Sequence, residues 1–326
     1  MIVNNGLQFI DFSHVFEVVP RKNKLVTDMG LFERKFGRST VAEVIKLTQY
    51  DGDIAGSRRG GDRNFQGSES AVVKYFRIPF YTLDRPVDAQ DVQDFASYFD
   101  PNSPQEAEYV VKRSVEMMMS KWQNKYEKAM INAIMGTGGD ASVETYNYYT
   151  VYGQTQVTVP ITFSSATVDP MTPIELQGRQ SIIQKIGDQA EDIEIICLCS
   201  TTWFQKLIDN PFIADAYKYY ESVQAPLRER LGGNRIYRDF MHKGVHFYEV
   251  ISGYVPTGEA YMFPKGVYGM FQLHFAPADS VELANTVARD AYLFIERTPR
   301  KISIESESSF VAVNNRPELV IKLTSV

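Results

Sequence analysis

Gly56 and Gly61 stand five apart in DGDIAGSRRGGDRNFQGSES (residues 51–70), the glycine spacing of a loop that wraps phosphates with backbone N–H groups. The chemistry fails at the next two positions. Asp62 and Arg63 stand where such a loop needs Lys and Ser or Thr, and a carboxylate there repels phosphate. The same stretch sets Asp51, Asp53, Gly56 and Asp62 at positions 1, 3, 6 and 12 of an EF-hand count, but Ala55 takes a ligand position, two arginines intrude, and the flanks read as strands. His242 and His246 in HKGVH are four apart, yet Gly244 and the strand that follows spoil a shared helical face, and no third ligand is evident. Cys197 and Cys199 alternate along an apolar run; cysteines at that spacing rarely bridge, so they read as two buried thiols. There is no G-x-S-x-G, no H-E-x-x-H and no G-x-G-x-x-G after a strand, and four histidines give little material for acid–base catalysis. The residues select no catalytic, cofactor-binding or metal-binding site.

The elements around these residues are more informative. In DPNSPQEAEYVV, Ser103 is a natural N-cap, Pro104 fits the first helical position and Glu106 completes a capping box. Ala107, Val111, Val115, Met118, Trp122, Tyr126, Ala129 and Ala133 then recur at spacings of 4, 4, 3, 4, 4, 3 and 4, one apolar stripe of a helix over 104–135 that Gly136 stops. At about 1.5 Å per residue this rod is roughly 48 Å long, with Val111, Val115, Met118, Trp122 and Tyr126 as its expected core face. The Met117–Met119 cluster reads as core filling. A shorter helix capped by Asp88 is expected over 88–99, short strands over 140–163, a helix opened by Thr172, Pro173 and Glu175 and running to Ile186, a buried strand over 194–199, and helices over 200–210 and 211–233. Strands are expected over 244–255, 259–264 and 267–275, and the tail from 291 returns to a β pattern. The fold class is α+β, with a compact α/β block over 171–291.

The chain has 326 residues, 44% of them hydrophobic, enough for a substantial core in two domains or one elaborated domain. No apolar run could span a bilayer, and the first residues lack the basic start and apolar block of a signal peptide. A net charge of −6 argues against a protein whose main work is coating nucleic acid. The charge is uneven. Residues 1–85 carry 13 Lys and Arg against 10 Asp and Glu, and residues 86–326 carry 21 against 30, a complementarity suited to contacts between copies of one chain.

The runs VIKLTQY (44–50) and VVKYFRIPFYTL (72–83) can pair as a long two-stranded arm tipped by the Gly/Arg stretch. Root to tip is roughly 20 residues, at most about 65 Å, against a radius of gyration of about 20 Å for a compact chain of this length. An isolated hairpin is marginal in water, so an arm bearing Phe76, Ile78, Phe80 and Tyr81 needs a surface to lie on, distally that of another subunit. Arg58, Arg59, Gly60, Gly61, Arg63 and Phe65 at the tip are then expected inter-subunit contacts, the arginines toward acidic groups and the glycines allowing close approach.

In order along the chain, MGLFERKF (29–36), the Gly/Arg-tipped hairpin, FRIPFYTLDRPVDAQDVQDF, the long helix, DPMTPIELQGRQSIIQKIGDQAEDIEIICLCSTTWFQKLIDNP and EAYMFPKGVYGM resemble the lambda-like major capsid protein E family of tailed phages over nearly the whole chain. The resemblance implies the Hong Kong 97-type capsid fold: an N-terminal arm over 1–40, an extended E-loop hairpin over 41–85, a peripheral domain over 86–170 and 292–326 with the long helix as spine, and an axial domain over 171–291. It also implies a structural protein without cofactor that self-assembles into hexamers and pentamers, forming an icosahedral virion shell around double-stranded DNA held without sequence-specific binding. Scaffolding, portal and decoration proteins are the implied partners, with assembly in the host cytoplasm. The chain starts at the arm with no long charged helical prefix, which argues against a fused scaffold. Lys46 and Lys74 lie on the arm and read as solubilising strand lysines, with no covalent cross-link assigned. The alternatives are a nanocompartment shell of the same fold, or a soluble α/β enzyme with its site in 171–291.

Overall fold

The computed structural model describes residues 8–11, 24–48, 70–91, 106–164, 168–187, 193–214, 216–217, 238–298 and 301–326. In chain order the elements are β1 (Gln8–Asp11), α1 (Leu25–Met29), β2 (Glu33–Phe36), β3 (Val41–Thr48), β4 (Ser70–Arg77), β5 (Phe80–Asp88), α2 (Glu106–Ile134), β6 (Thr137–Asp140), β7 (Glu144–Asn147), α3 (Tyr148–Val151) and β8 (Val157–Ile161). Next come α4 (Met171–Pro173), a π-helical stretch over Ile174–Arg179, α5 (Gln180–Ile186), β9 (Glu194–Ser200), α6 (Thr201–Ile208), β10 (Asp239–His242), β11 (Val245–Val250), β12 (Glu259–Lys265), β13 (Phe271–Ala276), β14 (Tyr292–Thr298), β15 (Lys301–Asn314) and β16 (Ile321–Ser325).

Two six-stranded sheets carry the body. The first runs β1-β14-β15-β13-β2, with β5 also paired to β15; the second runs β10-β11-β9-β12-β16-β8. β15 organises the first sheet because its 14 residues exceed any one partner: 301–307 pair β14, 301–309 pair β5 on the other side, and 309–314 pair β13. α2 lies on this strand. The Trp122 indole N–H donates to Ser306 Oγ at 2.9 Å, the Tyr126 hydroxyl reaches the Asp290 carbonyl at 2.6 Å, and the Tyr126 ring meets Phe310 edge-on at 4.6 Å. Val111, Val115, Met118, Trp122 and Tyr126 are all buried. The helix is described from Glu106 to Ile134, 29 residues or about 43 Å, and Gly136 ends it at φ 96°. Ser103 and Pro104 lie outside the described residues.

The second sheet is built on β9, buried from Ile195 onward, with β11 parallel on one side and β12 antiparallel on the other. Cys197 and Cys199 share one face of β9, both buried and free, with sulfurs 3.7 Å apart. The sheets do not divide the chain at the expected boundaries. β8 and β16, expected with the spine-helix unit, pair within the β9 sheet, and β13, expected with the 171–291 block, pairs β15 and β2.

Several local expectations need correction. Tyr148–Val151 is one helical turn instead of strand, because Asn147 Oδ1 accepts from the Tyr149 and Thr150 amides and caps it. The helix near 171 has Pro170 at its N-cap, and Asp169 just before it accepts from the Met171 amide through Oδ1 at 2.9 Å, so Thr172 is already inside the helix. Gly178 in the π stretch sits against the end of the Met262 side chain, so a Cβ there, 2.1 Å from Met262 Cε, would make that methionine shift. The strand expected over 244–255 ends at Val250, and the one over 267–275 starts at Phe271 after a turn with Gly269 at φ 66°. The helix expected over 88–99 is described only as far as 91, and most of the one over 211–233 lies outside the described residues.

Candidate subunit-contact surface

Within the described residues the expected arm pairs in part: the ladder takes in 41–48 and 70–77 and leaves 78–83 out. β3 pairs β4 antiparallel from Val41↔Arg77 to Thr48↔Ser70, and the two strands make a sheet of their own. Pro79 has no N–H to extend the ladder, so beyond the bond from the Ile78 amide to the Thr40 carbonyl at 2.9 Å the chain leaves the hairpin and enters the β15 sheet as β5.

Alternation gives the hairpin two unlike faces. The inner face packs Ala42, Val44 and Phe76 onto the body, Phe76 sitting edge-on to Tyr146 and Tyr148 at 5.1 and 5.7 Å. Polar ties fix the root. The Arg77 amide donates to the Tyr146 hydroxyl at 2.8 Å, and that hydroxyl donates to Glu144 at 2.8 Å. Burial, aided by Glu144, pushes the Tyr146 phenol up to about 12, so it stays a neutral donor. Lys46 Nζ pairs Glu318 Oε1 at 3.0 Å, an oxygen shared with Arg316 Nε at 3.3 Å, and stands 5.2 Å from the Tyr152 ring centre. The outer face carries Val41, Ile45, Val73 and Tyr75, with exposures of 38, 53, 39 and 66%. On the inner face Val72, opposite Lys46, is also 43% exposed, so the hairpin runs off its own body toward Ser70. Four large apolar side chains on one side of a two-stranded sheet form a surface to be covered by something outside this chain's described residues.

Arg58, Arg59, Gly60, Gly61, Arg63 and Phe65 lie between Thr48 and Ser70, outside the described residues. The five α2 residues singled out from the sequence lie under that helix, against β15 and its neighbours. Sequence reasoning missed Glu127. This buried carboxylate accepts from the Val26 amide at 2.6 Å, the Thr27 amide at 3.2 Å and Thr27 Oγ1 at 2.7 Å, acting as an N-terminal cap for α1 from 100 residues away. Its position on α2, beside the apolar stripe, was the available signal. Tyr146 and Glu318, which hold the hairpin root, carried none.

Among the described residues His242 and His246 are not brought onto one face. Lys243 and Gly244, both at positive φ, turn β10 into β11, so His242 and His246 sit on different strands. His246 lies between Glu194, Asp239 and Tyr248 at 3.2, 3.2 and 2.9 Å. Among the described residues no three His, Cys, Asp or Glu side chains are grouped as a metal-binding set.

A family model described as phage major capsid protein E matches residues 11–325. The major capsid protein of Pseudomonas phage KPP10 is 27% identical, the match covering 98% of this chain and 97% of that protein. Among solved structures, the capsid asymmetric unit of cyanophage Pam1 aligns at a TM-score of 0.53 with 10% identity, over 94% of this chain and 92% of that one. The putative capsid protein of an Escherichia coli CFT073 prophage aligns at 0.51 with 10% identity, over 78% and 80% of the two chains. At such identities the two structures speak to the fold, which is the Hong Kong 97-type capsid fold.

Proposed function

Because this chain belongs to the phage major capsid protein E family, we propose that its copies close into hexamers and pentamers through the β3-β4 hairpin, forming an icosahedral shell around double-stranded DNA. It is a structural major capsid protein of the virion, not an enzyme. The nanocompartment and soluble-enzyme readings give way to this one. The observation that carries the contact is the exposed row Val41, Ile45, Val73 and Tyr75 on a two-stranded sheet that has no second layer on that side among the described residues. A shell closes when each copy offers such a face to the next.

In this reading residues 1–40 are an N-terminal arm, 41–85 an E-loop, 86–170 with 292–326 a peripheral domain and 171–291 an axial domain; the last two share both sheets, and the arm and the E-loop lend β1, β2 and β5 to the first. Arg58, Arg59 and Arg63 at the hairpin tip meet acidic groups of the neighbouring copy, Gly60 and Gly61 admit the close approach, and Phe65 adds apolar contact. The acid-rich remainder of the chain, 30 Asp and Glu against 21 Lys and Arg over 86–326, supports that pairing. Scaffolding, portal and decoration proteins complete the particle, which assembles in the host cytoplasm and holds DNA without reading its sequence.

The test is size and shape. The expressed protein forms capsomers or megadalton shells by gel filtration and electron microscopy, and a persistent monomer under all conditions overturns the reading. Arg58→Glu with Arg59→Glu reduces shell yield; normal shells from that variant remove the arginines from the contact.

A further inference from the structure

A second surface stands apart from the hairpin. Along the open side of α2, Arg113, Met117, Lys121, Lys125, Lys128 and Asn132 recur at spacings of 4, 4, 4, 3 and 4, one row about 28 Å long on the face away from Trp122 and Tyr126. Arg113, Lys121 and Lys128 are exposed, and the acid nearest the row on this helix, exposed Glu116, lies beside Arg113 at its far end from the lysines. Arg85, exposed on β5, adds a cation beside it, its Nη1 3.9 Å from Met117 Sδ. The row ends at a cavity of about 160 Å³ whose lining includes Lys125, Lys128, Asn132 and the Gly138–Gly139 backbone. One acid, Asp140, borders this cavity, and it is engaged: it accepts from the Ser142 amide and hydroxyl at 3.1 and 2.9 Å and pairs Lys125 at 3.5 Å. In a chain of net charge −6, Lys121 and Lys128 exposed on one helix face with Arg85 beside them and a small polar recess at the end is out of character.

We infer that this face of α2 contacts the phosphate backbone of double-stranded DNA inside the shell, an inference resting on the shell reading above. The chemistry fits a polyanion without sequence readout. The cations are lysines and arginines on a rigid helix, spaced along a line, with Asn132 as the one amide at its end and no aromatic platform for bases in the row. A row of this length runs beside roughly 17 duplex charges, at one charge per about 1.7 Å of axis.

The experiment is lysine acetylation read by mass spectrometry on unmodified particles, DNA-filled and DNA-free, with Lys265 on the β9 sheet as reference. Lys121 and Lys128 are expected to react several-fold more slowly than Lys265 in filled particles and to recover in empty ones. Equal reactivity in both particles overturns the inference. Protection in both also overturns it, assigning the face to an acidic protein surface. Failure of the chain to form particles at all would instead strike the shell reading. As a second measurement, purified capsomers binding a short duplex should lose affinity with salt, and Lys121→Gln with Lys128→Gln should make the log–log salt slope shallower by about 1.8, at about 0.9 per phosphate contact. An unchanged slope in a variant that still assembles removes both lysines from the contact.

Discussion

Replacing Ile45 and Tyr75 by Thr keeps β propensity in the hairpin while stripping its outer face. In the isolated subunit both side chains are largely in water, at 53 and 66% exposure, so the fold should lose no more than about 0.5 kcal/mol. In the contact proposed above the same side chains are covered. Burying the exposed part of a tyrosine that offers roughly 150–250 Å² removes about 100–165 Å², worth at most about 2.5–4 kcal/mol at 25 cal/mol/Å². The exposed half of Ile45 adds about 1 kcal/mol. Discounting Tyr75 for its hydroxyl leaves roughly 3 kcal/mol per subunit contact, and six contacts in a closed ring multiply that to roughly 18 kcal/mol per hexamer before entropic losses are counted. The double variant should therefore melt like the parent by circular dichroism and yet remain as small species by sedimentation velocity at concentrations where the parent assembles. Shells at parental yield would refute the argument, because they would mean assembly leaves this face wet.

Three further outcomes test the body that holds the hairpin. Trp122→Ala removes a buried ring and its bond to Ser306, whose hydroxyl also donates to the Leu83 carbonyl at 2.6 Å, so a loss of about 3–5 kcal/mol is expected in chemical denaturation. Glu127→Gln leaves one acceptor facing three donors and sets an amide N–H₂ against backbone N–H groups; α1 should detach, and the Val26 and Thr27 amides should lose hydrogen-exchange protection while the β15 sheet keeps its own. Burial works against the charged form of Asp169, but the Met171 amide and Lys243, 3.0 Å away, outweigh it and hold its carboxyl below the usual range. The stabilisation from a lowered pKa is present above the unfolded value near 3.9 and is lost as pH falls through the folded one. Asp169→Asn should therefore cost up to about 1 kcal/mol at pH 7, and the difference from the parent should shrink as pH falls through the lowered folded-state value; a pH-independent difference would assign the effect to the helix cap alone.

The family was legible in the order of motifs, and much of the fold in periodicity. The 4-4-3 stripe of α2, the buried run of β9 and the alternation of β3 and β4 each follow from the geometry of one element, and the stripe named the buried residues Trp122 and Tyr126. Which strands share a sheet was not legible. β8 and β16 join β9, and β13 joins β15, through backbone hydrogen bonds that any side chain can accompany, so composition carries no trace of the choice.

Contacts at long range decided the rest. Glu127 caps a helix 100 residues before it, Lys46 finds Glu318 some 270 residues on, and Asp169 displaces the Thr172 cap by accepting from Met171 first. From the sequence alone Lys46 was one more strand lysine; its partner is adjacent only because β3 folds back over the turn that carries Glu318. Periodicity and local capping act within a few residues, so the family and most of the elements, Tyr148–Val151 excepted, could be read along the chain. Which apolar residues stay outside, Ile45 and Tyr75 in water with Phe76 beside them buried, is set by packing across the fold, because alternation sorts a strand into two faces without saying which one the body covers.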